Sequence, residues 1–220
     1  MAAESLEEKI VRLEKEIERI DAYRQVQNVM GKYMNRHIDG RKIATTPELF
    51  ALKTPGVSAE IADWGYFEGP DQVKALYEKG HGDTTKEHPG VMYEHDMTTP
   101  IIEVARDCKT AKAVWFSPGN ATGYINGKLT AQWRWGKYHA AFIKEDGKWK
   151  IWKWHWYGTF FADFYKSWVD YQPTGRGLIK ELNPKLPLYH NEYSPTGIRE
   201  PIPPAPEPYE SSDELINWRP

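Results

Sequence analysis

Apolar residues recur at helical spacing along the first 38 positions. Leu6, Ile10, Leu13, Ile17 and Ile20 stand four, three, four and three apart, and Tyr23, Val26, Met30 and Tyr33 carry the stripe onward. The pattern predicts one long helix over 4–38, with Gly40 as its stop. Its first five turns fit either a short coiled-coil arm or the outer part of a helix lying on a sheet. TTPELFAL at 45–52 predicts a second, short helix, capped by Thr46 with Pro47 in its first turn. Residues 59–68 read as a strand closed by Gly69 and Pro70. DQVKALYEKG at 71–80 reads as a third helix with Val73, Leu76 and Tyr77 on one face.

From residue 91 the apolar period changes to two. Four strands are expected, at about 92–105, 110–119, 129–145 and 148–161. The Asp146-Gly147 pair between the last two is the strongest hairpin signal noted in the chain. Gly136 and Gly158 are expected to mark bends or bulges. On the last strand Trp149, Ile151, Lys153, His155 and Tyr157 share one face, and Trp152, Trp154 and Trp156 the other. Helices and a pocket would cover one face. The three-indole face would then be an apolar patch for a second subunit or the chain's own tail to cover.

Helices followed by antiparallel strands give an α+β class. The expected architecture is a curved mixed sheet of about five or six strands with three N-terminal helices. Residues 1–22 form a helical arm, 23–175 the domain and 176–220 a tail. Nine of the 16 prolines lie between Pro184 and Pro220. The tail also keeps Tyr189, Tyr193, Tyr209 and Trp218, so an extended arm lying on the domain or a neighbour is expected rather than disorder.

Composition narrows the partners. Lys and Arg number 29 against 31 Asp and Glu, a net charge of −2, which gives no electrostatic reason for nucleic acid or an anionic membrane. Cys108 is the single cysteine, so neither an internal disulfide nor a cysteine metal cluster is expected. The charged start MAAESLEEKI lacks the apolar segment of a secretory signal, and no 18-residue apolar run occurs, so the expected location is cytoplasmic. Ten Trp and 13 Tyr against seven Phe suit interfaces and pockets for flat ligands, although most single aromatics serve packing.

Four stretches carry a family resemblance: YRQVQNVMGKYMNRHIDGR, DWGYFEGPDQVKALYEKG, YEHDMTTPIIEVARDCKTAKAVW and YHAAFIKEDGKWKIWKWHWYGTF. With the element order, they resemble the SnoaL-like branch of the nuclear transport factor 2 superfamily, over residues 23–161. Members include ketosteroid isomerase, scytalone dehydratase, polyketide cyclases, bile-acid dehydratase and relatives that release formaldehyde from lignin-derived aromatic dimers. Transport factors and assembly domains share the fold, so the resemblance speaks to fold more than to function.

The resemblance implies a cone-shaped curved mixed sheet wrapped around the three N-terminal helices, with a pocket at its open end. His95 lies on a strand where relatives carry a pocket histidine able to move a proton near neutral pH. Tyr33 and His37 are four apart and share a helix face, and Asp39 roughly matches a catalytic aspartate of scytalone dehydratase. Trp64 and Tyr66 alternate onto one face of the first strand, where that enzyme holds substrate with a tyrosine. Asn120 lies where it carries a second catalytic histidine, which argues against the same dehydration mechanism. Trp115, Arg134, Tyr138 and His155 complete the candidate lining; for His155 a structural role is equally open.

The seven His show no metal spacing, and no nucleophile elbow, P-loop or GxGxxG occurs. Acid–base chemistry on a bound organic molecule is left, and the resemblance implies a cofactor-independent lyase that removes water or formaldehyde from a hydroxylated aromatic or polycyclic small molecule. A homo-oligomer, dimer or trimer, through the sheet face and tail is expected. The alternatives are an isomerase or cyclase, or a non-catalytic binding or oligomerisation module.

Overall fold

The computed structural model describes residues 4–38, 40–81, 88–170, 177–187, 192–216 and 218–220. Its framework is a hairpin of two long strands, β7 (Lys128–Glu145) and β8 (Lys148–Asp163). Asp146 and Gly147 turn between them with φ of 52° and 72°. Two successive positive φ values match the right-handed twist of the flanking strands, which is why an Asp-Gly pair works there. Asn126 and Gly127 make the same turn, with φ of 49° and 75°, between β6 (Gly119–Ile125) and β7.

The eight-stranded sheet runs β2 (Gly65–Glu68), β1 (Ser58–Ile61), β8, β7, β5 (Thr110–Ser117), β4 (Thr98–Val104). β6 pairs with the far half of β7, and β3 (Met92–His95) pairs with β6. β1 lies parallel to β8 and every other ladder is antiparallel, so the sheet is mixed. The α+β curved sheet with helices packed on it is as expected. The strand count exceeds the expected five or six for three reasons. Residues 59–68 are a hairpin rather than one strand, turning at 62–64 with Ala62 at a φ of 38°. Residues 92–105 divide at 96–97, and the two halves pair with different partners. β6, GNATGYI, lacks the apolar alternation by which the other strands were found.

Helix α1 (Leu6–Ile38) is continuous, but its apolar stripe is not. Leu6, Ile10, Leu13, Ile17 and Ile20 are exposed. Burial begins with Ala22 and runs through Val26, Val29, Met30 and Tyr33, on a different face of the helix. Tyr23, expected on the buried stripe, is exposed. The expected 45–52 helix is a 3₁₀ segment over Gly40–Leu49 containing Pro47, and α2 (Pro70–Ala75) continues as a π-turn over Leu76–His81. No helix among the described residues is long and apolar enough to cross a membrane.

The face assigned to β8's indoles is reversed. Trp154 packs on Tyr33 of α1, with ring centroids 5.1 Å apart, and Trp156 reaches His95 at 6.0 Å. Trp152 lies beneath the 55–56 loop and donates to Pro55 O at 2.8 Å. These side chains are buried by their own chain and form no exposed patch. The physical reason is burial. A bulge between Ala141 and Phe142 takes up Trp152 and breaks the expected alternation, so Trp149 and Ile151 share the helix-covered face with Trp154 and Trp156, which bury more apolar area than Lys153, His155 and Tyr157 on the other face.

The opposite side is covered by the tail. Lys153 donates to Leu215 O at 2.8 Å, Ile216 O at 2.9 Å and Trp218 O. His155 Nδ1 meets Pro220 O at 2.9 Å, and Arg219 pairs with Glu60 at 3.0 Å. The tail therefore lies on its own domain.

A bulge falls between Trp135 and Gly136, where Gly136 faces Gly158. A Cβ on Gly136 would overlap Tyr157 O and sit 2.7 Å from the Trp156 ring. Gly136→Ala is expected to cost about 1–3 kcal/mol through overpacking. A thermal melt should show Tm lowered by several degrees, while Gly123→Ala, with open space around it, should change little.

Candidate active site

α1 and β3 meet at one end of the sheet and bring two histidines together. His37 lies one turn beyond Tyr33, the rings stacking at 6.1 Å with planes 10° apart. His95 ends β3 and faces His37 edge-on, with centroids 5.2 Å apart. Tyr93 lies 5.9 Å from His37, and Trp156 closes the far side of His95. Deeper in, Tyr33 contacts Tyr138 at 6.2 Å and exchanges a hydroxyl hydrogen bond with Tyr77 at 3.2 Å.

Both histidines are buried, at 9% and 7% exposure. Burial disfavours the imidazolium, pulling the His37 pKa down to about 4. For His95 burial acts first, with His37 and the Arg134 guanidinium adding repulsion, and holds its pKa well below the usual histidine range. Near neutral pH both rings are uncharged. His95 Nδ1 is buried and has no hydrogen-bond partner. It points past Gly119, where a Cβ would stand 2.7 Å away, so the glycine gives the ring its clearance. An unsatisfied buried nitrogen costs on the order of 1–3 kcal/mol, a cost that a ligand hydroxyl or an abstracted proton would relieve.

The other predicted residues divide. Tyr33, Tyr138 and Arg134 belong to this cluster. Trp115 lies deeper, held by its Nε1–H to Gln27 Oε1 at 3.2 Å and by the Phe142 ring at 6.1 Å, a packing role. Trp64 sits in the β1–β2 turn rather than on a strand, its carbonyl accepting from Ile179 N at 3.0 Å. Tyr66 is displaced by the tail: its ring lies 3.7 Å under the Arg219 guanidinium and its hydroxyl reaches Glu68. Asn120 is exposed, because β6 register puts Gly119, not Asn120, opposite His95. His155 is fully buried but lies on the tail side of the sheet, stacked on Tyr157 at 3.8 Å. Asp39 lies outside the described residues. Tyr77, Tyr93, Trp154 and Trp156 were missed. Val73, Leu76 and Tyr77 at helical spacing, and Tyr93 two residues before His95, were the available signals.

Among the described residues no group of three or more His, Cys, Asp or Glu is placed to hold a metal. A surface hollow of about 610 Å³ lies elsewhere, between Arg12, Lys15 and Arg19 of the arm and Arg106, and none of the predicted site residues lines it.

The buried neutral histidines make stability depend on pH. Each has a folded pKa below its unfolded value of about 6.5, so their stability contribution is present above 6.5 and is lost as pH falls toward 4. Tm is expected to drop steeply between pH 6.5 and 4. His37→Phe should flatten that drop, by up to a few kcal/mol in unfolding free energy at the acid end. An unchanged slope would show that His37 is not the buried neutral group described.

A model of the SnoaL-like domain matches residues 18–155. Among solved structures, a proposed scytalone dehydratase from Novosphingobium aromaticivorans DSM 12444 is 17% identical, with a TM-score of 0.52, covering 73% of this chain and 97% of that one. Hexachlorocyclohexane dehydrochlorinase LinA-type3 from Novosphingobium barchaimii LL02 is 13% identical, with a TM-score of 0.54 and coverage of 72% and 99%. LinA Type2 is similar at 14% and 0.54, with coverage of 73% and 99%. A sequence search of curated proteins gives no match. At such identities the neighbours speak to the fold: an α+β cone. The model match spans more than half of the sequence, and the chain belongs to the SnoaL-like domain family.

Proposed function

We propose that the chain is a cofactor-independent lyase, acting in the cytoplasm, that removes water or formaldehyde from a hydroxylated aromatic or polycyclic small molecule. The observation that carries this reading is the pair of buried, uncharged imidazoles, His37 and His95, set among aromatic rings with His95 Nδ1 unpartnered. An uncharged imidazole is ready to accept a proton at neutral pH. In loss of water, His95 takes the proton from the carbon next to the one bearing the hydroxyl. The C–H electron pair becomes the double bond, the C–O bond breaks, and the leaving hydroxide recovers the proton as water. Low basicity helps the second half, since an imidazolium beside Arg134 returns its proton readily. In loss of formaldehyde the proton comes from a primary alcohol, the C–C bond breaks and the freed carbon takes the proton back. Return of the proton to a different carbon would make the same site an isomerase. That two relatives in fold are a proposed dehydratase and a dehydrochlorinase, both elimination chemistries, supports the class but not the substrate.

A second reading, a binding or oligomerisation module, is favoured by one observation. Tyr33, Trp115 and Trp154 are almost wholly buried, and Tyr33 and Trp154 are in mutual contact, so aromatic rings occupy the middle of the cone.

Turnover of lignin-derived phenolics and hydroxysteroids separates the two. On a substrate so found, His95→Ala is expected to lower kcat by about 10²–10⁴ with circular dichroism unchanged. His37→Ala and Asp39→Asn, measured beside it, report which of them supports His95. Unchanged kcat in His95→Ala rejects the mechanism, and complete loss of activity in EDTA rejects the cofactor-independent claim.

A further inference from the structure

The geometry points to the N-terminal arm as one strand of a parallel, two-stranded coiled coil with a second copy of this chain. Two apolar stripes run along α1. The inner one, Ala22 through Tyr33 and His37, is buried on the domain. The outer one is Leu6, Ile10, Leu13, Ile17 and Ile20, with exposures from 44% to 75%. At about 3.6 residues per turn the two stripes are centred on opposite sides of the helix. The arm's domain side is fixed independently: Lys15 O faces the Cys108 thiol, and Arg12, Lys15 and Arg19 share the hollow with Arg106. The outer stripe therefore points into solvent, and among the described residues nothing covers it.

Its composition selects the occupant. The 4-3-4-3 spacing is a heptad seam, with Ile10 and Ile17 at a and Leu6, Leu13 and Ile20 at d. β-branched residues at a with mainly leucine at d favour two parallel strands. The seam ends at Arg24 and Gln27, where the helix enters the domain and Gln27 turns to Trp115. Charges beside the seam agree. Glu7, Glu14 and Asp21 form a wholly acidic e column, which an antiparallel pairing would set against itself. Parallel pairing sets e against g and places Lys9 opposite Glu14 of the second copy. Glu16 and Asp21 would also approach, but each already holds an arginine, Arg19 at 3.2 Å and Arg24 at 2.7 Å. The arm is continuous with the packed C-terminal half of α1, which nucleates it. A membrane surface fits less well, because the polar faces carry glutamates as well as lysines and arginines.

Sedimentation of the full chain at tens of micromolar tests the proposal. The wild type is expected at twice 25.5 kDa, and Ile10→Glu/Ile17→Glu at 25.5 kDa with its domain melt retained. Leu6→Cys should cross-link under mild oxidation, because parallel pairing sets each Leu6 beside its copy, whereas an antiparallel pair sets Leu6 near Ile17. A wild-type monomer, a trimer, a dimer indifferent to the double substitution, or absence of the Leu6→Cys cross-link would each overturn it. So would a monomer that instead co-sediments with phosphatidylcholine–phosphatidylglycerol vesicles.

Discussion

The contact of Tyr33 with Trp154 and Tyr138 is the constraint on which the rest of the molecule depends. It joins the long helix α1 to the long β7–β8 hairpin, and it decides which face of that hairpin is inside. Once Trp154 and Trp156 are turned toward α1, strand alternation sends Lys153, His155 and Tyr157 to the other side. His37 then follows from Tyr33 by one helical turn, and Trp156 follows from Trp154 by one strand repeat. The two residues that flank His95 are thus placed by a packing contact made elsewhere.

The same choice creates a demand on the outer face. Lys153 is only 7% exposed, and a buried ammonium without partners is destabilising by several kcal/mol. Three carbonyls of the final 3₁₀ turn and its following residues supply the acceptors. Glu60, buried at 1%, receives Arg219 in the same way. The tail is therefore part of the fold, and it covers Tyr66 and His155 on the face that strand alternation has turned away from the candidate site.

Much of this was legible in the residues. The helix over 4–38, the Asp-Gly hairpin and the change of period at 91 each rest on a local signal, and each is present. The juxtaposition of His37 and His95 was readable as two residues on elements expected to line one pocket. What was not legible depended on contacts distant in sequence. Alternation showed that β8 had two apolar faces but not which one met α1. Asn120 was placed by counting from His95, and a one-residue register difference puts it on the wrong side of β6. The break between the two α1 stripes was readable in principle, since Ala22 and Val26 start a new phase. Small Ala22 gives little weight to a periodicity count.

The elements around the two histidines are held unequally. α1 is fixed by Tyr33, and β8 lies between β7 and β1 with ladders on both sides. β3, which carries Tyr93 and His95, is four residues long and bonded to one neighbour, β6. Backbone bonds on one side only, in a short strand, leave it the least stabilised of the three walls. The interior rings meet closely, so the Tyr33–Trp154 contact holds α1 and β8 together where β3 has only its β6 ladder and its packing on α1. His95, with its unpartnered Nδ1, thus sits on the wall with the fewest backbone bonds, while the aromatic contact that fixes the fold lies on the two walls that are bonded or packed along more of their length.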